Sequence, residues 1–179
     1  MPNDIEEKRK LFYIRSAYRN QPDFTVDHLQ RASPLTESPR VERLIDNDAS
    51  VSDNYNRLVS ATIAGVYSGE LDALTVEQLR ERFIGQIRDS MSRVFDDLVL
   101  KGTGDPLTAG SFYFEKGLSR NFHYKNLSGG EKAAFDVLLD FILTREVYSN
   151  TVFCIDEPEA HMHTGLQARL LEELISLIP

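Results

Sequence analysis

The sequence predicts an α/β fold: a helical region, a small antiparallel meander and a truncated, mostly parallel sheet. Three observations carry this. Residues 151–155 form a continuous apolar run that ends on two acids, Asp156 and Glu157, the pattern of a buried parallel strand. Residues 50–94 carry apolar side chains at helical spacing. Residues 98–125 instead alternate over short runs broken by glycine and proline.

The elements follow in order. Residues 10–16 cluster Leu11, Phe12, Tyr13 and Ile14 and read as a short strand, the one candidate neighbour for the 151–155 strand. Residues 17–40 are rich in Asn, Asp, Pro, Ser and Thr and read as loop. Ser38-Pro39 is a cap followed by a first-turn proline and opens a short helix through Ile45. Residues 50–67 form a helix with Tyr55, Leu58, Val59, Thr62, Ile63 and Val66 on one face, and Gly69 lies just past its end. Thr75 caps the next helix with Gln78 as reciprocal partner. Its apolar stripe is Leu79, Phe83, Ile87, Met91 and Val94, and its other face carries Arg80, Arg82, Arg88 and Arg93. That face is either a solvated surface with acids interleaved or a nucleic-acid or partner surface.

Three short strands follow at 98–100, 111–116 and 121–125, with Phe112 and Phe114 on the inner side of the second. Leu127-Ser128-Gly129-Gly130-Glu131-Lys132 is a glycine turn feeding a helix, and residues 133–145 are apolar on most sides, as a buried helix is. The last helix sets Leu166, Leu170, Leu171, Leu174 and Ile175 on one side. These shifts divide the chain into a loop-rich segment (1–50), a helical region (51–97), a β meander (98–126) and a final unit (127–179).

The bulk numbers exclude several classes. A formal charge of -8, with 20 Lys and Arg against 28 Asp and Glu, argues against a chain wrapped in nucleic acid over its whole surface. The single cysteine, Cys154, forms no internal disulfide and fits a reducing compartment. No apolar run approaches the ~20 residues of a membrane span, and residues 1–10 lack a signal-peptide core. The expected location is the cytoplasm, with no membrane partner.

Two motifs carry chemistry. In Ser128-Gly129-Gly130 the glycines let backbone N–H groups approach an anion, and the helix N-terminus adds partial positive charge. Asp156 and Glu157 emerge at the C-terminal edge of a strand, where open α/β sheets bind ligands. One carboxylate there can hold hydrated Mg²⁺ and its neighbour can polarise a water.

Ser128 precedes Asp156 by 28 residues, with one helix and a short turn between. This order and spacing resemble the signature loop and Walker B strand of ABC-type ATPases, which implies a partial P-loop NTPase fold (an ABC-type head with an AAA-type ATPase core) over 127–179. The run Asp156-Glu157-Pro158-Glu159-Ala160-His161-Met162-His163 resembles that of the RecF, OLD and SMC-like branch, and Glu131 fits the same branch. The resemblance implies ATP and Mg²⁺ as cofactors and a head-to-head dimer or ATPase partner subunit. It implies that Ser128, Gly129, Gly130 and Glu131 contact ATP held by a second protomer. Asp156 holds Mg²⁺ through water, and Glu157 is the catalytic base. Glu159, His161 and His163 fall in the D-loop facing the partner. His161 and His163 stand at i, i+2 with one nearby acid, which favours a packed or interface role over a metal pair.

The Walker A loop, Gly-x-x-x-x-Gly-Lys-Ser/Thr, is absent, and the sequence holds no Gly-Lys dipeptide. The family's switch histidine, on a strand after the last helix, is absent too. Both edges read as cut. The expectation is a fragment of a larger ATPase of DNA repair or phage defence, inactive alone. The alternatives are a non-catalytic subunit that lends its signature face, and a nucleic-acid-binding module.

Overall fold

The computed structural model describes residues 12–15, 24–26, 53–69, 71–108, 110–145 and 152–178. The predicted helix at 39–45 and most of the 17–40 loop lie outside them. Strand β1 (Phe12–Arg15) is followed by α1 (Asn54–Tyr67) and α2 (Val76–Arg80). A π-helical turn (Glu81–Gly85) joins α2 to α3 (Gln86–Val94). Strands β2 (Leu98–Gly102), β3 (Tyr113–Lys116) and β4 (Ser119–His123) come next, then α4 (Gly129–Thr144), β5 (Val152–Ile155) and α5 (Thr164–Leu177).

Two sheets form among the described residues. β2, β3 and β4 make the antiparallel meander in sequence order. β1 and β5 pair in parallel, Tyr13 opposite Phe153 and Arg15 opposite Ile155. The ladder runs one step further, with the Asp156 N–H donating to the Arg15 carbonyl at 2.9 Å. The strand read from residues 10–16 is therefore the neighbour of β5. The expectation that residues 151–155 are buried on both faces is corrected: Val152 and Cys154 are exposed, while Phe153 and Ile155 are half-buried. Among the described residues it is the Phe153 face that meets a partner layer, at 5.4 Å from the Tyr13 ring and 4.6 Å from Phe141 of α4.

α1 buries Tyr55, Leu58 and Val59, but its last turns leave the core, so Ile63 and Val66 are exposed rather than packed as the periodicity suggested. Gly69 follows with φ +76°, a left-handed position that glycine adopts freely. The Thr75–Gln78 capping box forms as read. The helix it opens is interrupted by the π turn, which still delivers Ile84, Ile87, Met91 and Val94 to the core. The arginine face is divided: Arg88 binds Glu81 and the Leu100 carbonyl, and Arg93 forks onto the buried Glu173 of α5 at 2.6 and 2.7 Å. On α5, Leu166, Leu170, Leu174 and Leu177 face inward, but Leu171 and Ile175 are exposed. One residue further along a helix turns the side chain by about 100°, which carries these two off the contact stripe.

The core gathers around α4. Phe135 meets Phe24, Phe112, Phe114 and Tyr124 at ring distances of 6.3, 5.1, 5.1 and 5.9 Å. Phe24, within the stretch read as loop, is fully buried, and Val26 pairs with Gly110 through two backbone hydrogen bonds. Two carboxylates lie inside this apolar volume, one turn apart on α4. Asp136 accepts from the Tyr124 hydroxyl at 2.8 Å. Asp140 accepts from the Tyr13 hydroxyl and from Asn54 Nδ2 at 2.9 Å, with the Arg15 guanidinium 3.7 Å away. Asp140 thereby ties β1, α1 and α4 together.

Removing that carboxylate strands several buried donors. Asp140→Ala is expected to lower unfolding free energy by about 3 kcal/mol or more, read by urea denaturation. Asp140→Asn, which keeps one acceptor, should cost less.

Candidate functional site

Ser128 is the N-cap of α4, at the loop-to-helix step that the sequence suggested, and it closes a reciprocal capping box with Glu131. The Ser128 N–H and hydroxyl each donate to Glu131 Oε2 at 2.8 Å, and the Glu131 N–H returns to Ser128 Oγ at 3.3 Å. Glu131 Oε1 accepts from Lys116 Nζ of β3 at 2.5 Å. Burial works against the Glu131 carboxylate, but the Lys116 and Ser128 hydrogen bonds outweigh it and hold its pKa below the ordinary 4.5. Lys132 places its ammonium 5.7 Å from the Tyr124 ring centre.

The segment after β5 runs as two tight turns, Ala160 N–H to the Glu157 carbonyl and Met162 N–H to the Glu159 carbonyl, both at 3.0 Å. Two of its residues hold left-handed backbone, Glu157 at φ +44° and His161 at φ +67°. Non-glycine residues adopt this region at a cost. His163 caps α5, its Nδ1 accepting from the Leu166 N–H at 3.3 Å. Gln167 reaches back from α5 to the Met162 carbonyl at 2.7 Å. Met162 is buried in the core and pins the segment's far end.

The α4 N-terminus and this segment meet at Gly130. A Cβ there would stand 2.6 Å from the His161 carbonyl oxygen, while one at Gly129 would meet nothing within 4 Å. The second glycine is a close-approach position, and the first leaves the helix end open. The two elements border one cavity of about 520 Å³, lined by Ser128, Gly129, Gly130, Glu131, His161 and His163. Asp96, Asp97 and Arg169 extend its rim, and Arg169 pairs with Asp96.

Asp156 and Glu157 are exposed at the C-terminal end of β5 and do not line that cavity. Glu159 borders a separate depression with Pro158, Thr164 and Gln167. The predicted residues thus fall into two groups on the same chain: a glycine-rich helix end with two histidines, and an acidic strand end. Among the described residues no cluster of three or more His, Cys, Asp or Glu could hold a metal ion. A magnesium ion that keeps most of its water needs only one or two protein carboxylates, and Asp156 offers that donor set. No helix among the described residues is long and apolar enough to cross a membrane.

Residues 5–179 match the family model described as "AAA domain, putative AbiEii toxin, Type IV TA system". The chain belongs to this family. Neither curated proteins nor solved structures gave a match. Membership in an AAA-domain family supports kinship with AAA-type ATPases, and the mixed helix-and-sheet architecture agrees with an α/β AAA domain.

Sequence reasoning missed Lys116, Gln167 and the Arg169–Asp96 pair. Lys116 reaches Glu131 across 15 positions, and Arg169 reaches Asp96 across 73. No local pattern announces such contacts.

The glycine pair gives a direct check. Gly130→Ala should destabilise the AAA chain by about 1–3 kcal/mol, because backbone must move to admit the methyl. Gly129→Ala should be neutral or stabilising by up to about 1 kcal/mol; both are read by urea denaturation. Acid gives another. Glu173 is buried, which opposes its charge, but Arg93, Ser90 and Ser176 bring its pKa below 4.5, as happens at Glu131. Depressed carboxylates contribute stability that is full above pH 4.5 and is lost as pH falls through their folded values. The melting temperature should therefore drop on acidification below about pH 4.5, and Glu173→Gln should flatten that slope.

Proposed function

We propose that the chain forms the signature face and Walker B edge of an ABC-type ATPase in the RecF, OLD and SMC-like branch. The single observation that carries the reading is the placement of Ser128, Gly129 and Gly130. They start a helix at an open cavity, while Asp156 and Glu157 end a parallel strand outside that cavity. A face that contacts a nucleotide on one protomer, and acids that serve a nucleotide elsewhere, need this separation. It supports a head-to-head dimer or an ATPase partner subunit.

In this reading Ser128 and the N–H groups of Gly129 and Gly130 bind the terminal phosphate of ATP held in trans. Asp156 holds Mg²⁺ through water. When bound, the magnesium offsets charge on the phosphates. Glu157 accepts a proton from the attacking water as general base, and its left-handed backbone fixes where the carboxylate leaves the chain. His161, His163 and Glu159 face the partner. The 179 residues hold no Gly-Lys dipeptide, so the phosphate loop comes from polypeptide beyond them, and the chain alone is inactive. A family description that names a toxin–antitoxin system favours a defence setting over DNA repair. The alternative of a lender subunit with no turnover of its own shares the Ser128 face and differs in not needing Glu157. The nucleic-acid reading is weakened by the engagement of Arg88 and Arg93 with Glu81 and Glu173.

The isolated chain should show no steady-state ATP turnover and only weak nucleotide binding. In an assembly with a phosphate-loop-bearing polypeptide, Glu157→Gln should stop phosphate release while ATP-dependent association persists in sedimentation. Ser128→Arg should abolish the association itself. Turnover that survives Ser128→Arg would sink the signature reading, and turnover that survives Glu157→Gln would leave only the lender subunit.

A further inference from the structure

The cavity at the N-terminus of α4 carries three carboxylates, from Asp96, Asp97 and Glu131. A phosphate-bearing ligand must tolerate them. Asp96 is neutralised by Arg169, and Asp97 is open to solvent. Glu131 is different, because it touches the groups that are to bind phosphate. Its Oε2 takes both donors of Ser128 at 2.8 Å, and its side chain is 13% exposed, so water screens it little. A serine hydroxyl has one hydrogen. Donated to Glu131, that hydrogen is withheld from any other acceptor.

Lys116 is the counterweight. Its ammonium holds the other oxygen, Oε1, at 2.5 Å, and it arrives from β3 rather than from the loop it serves. The Phe122 ring centre stands 5.4 Å from the same ammonium, which favours a cation at that place. The pair cancels the charge beside Ser128 and competes for the carboxylate's lone pairs.

We propose that Lys116 is a positioning residue for the α4 N-terminus: by neutralising the Glu131 carboxylate beside Ser128 it admits the terminal phosphate of a nucleotide to the open helix end. This rests on the signature reading of residues 128–131. Without the ammonium, Glu131 sets an uncompensated negative charge against the incoming anion. With neither charge, the seat is again neutral.

The test follows the Ser128, Gly129 and Gly130 backbone amides of the ¹⁵N-labelled chain during titration with magnesium ATP. Wild type should give a weak, saturable shift. Lys116→Met, which keeps the aliphatic stem, should weaken ATP binding about tenfold, the scale of a lost opposite-sign neighbour near a surface. Lys116→Arg should retain binding. Lys116→Met combined with Glu131→Gln should return the affinity to within about twofold of wild type. A purely structural Lys116 would leave the double variant as weak as Lys116→Met, and that result overturns the proposal. Weaker binding by Glu131→Gln alone overturns it too, independently of how Lys116→Met folds. Ser128→Arg separates the two levels. If it abolishes the shifts while Lys116→Met matches wild type, only the role of Lys116 falls. If wild type gives no shift, or Ser128→Arg titrates like wild type, the signature reading falls and takes this inference with it.

Discussion

A helix without a solvent face constrains everything around it. Residues 133–142 of α4 are buried without a break, so every side needs a cover. The meander covers one side through Phe112 and Phe114, and the β1–β5 pair covers another through Tyr13 and Phe153. Helices α1, α3 and α5 also pack against it. Apolar contact alone would let such a helix rotate or slide at modest cost, because many packings bury similar area. Asp136 and Asp140 remove that freedom. Each is a buried carboxylate whose partners come from other elements, and a shifted helix would leave them unmet.

Fixing α4 also fixes its first turn, and the candidate site is that turn. The helix enters the core at Ala133, five residues after Ser128, so the cap cannot drift without disturbing packing behind it. Gly130 lets the His161 backbone come close enough to share the cavity, while Gln167 and Met162 hold the other wall. A rigid element thus presents a short polar edge, a common way to combine stable folding with an exposed binding surface.

What was legible in the sequence was local. The Thr75–Gln78 capping box could be read from a four-residue spacing, because the reciprocal bonds close within one turn. The strand ending on Asp156 and Glu157 was legible from composition, and its β1 neighbour from a second apolar cluster. Burial was less legible. Residues 151–155 are apolar throughout, yet Val152 and Cys154 are exposed, since periodicity reports what a segment offers and not what reaches it. Leu171 and Ile175 fail for the same reason. The π turn left no signature, because it alters the phase of a helix by one residue while conserving its apolar content. The Asp140 network and the Lys116–Glu131 pair join residues far apart in the chain, which a single sequence cannot align.

The backbone at Glu157 and His161 has an evolutionary consequence. Glycine or asparagine suits a left-handed φ better than glutamate or histidine does. A population of variants selected only for thermal endurance would be drawn toward those residues at 157 and 161, and would shed a carboxylate and an imidazole along the way. At both positions the side chain present is not the one that backbone conformation alone favours most.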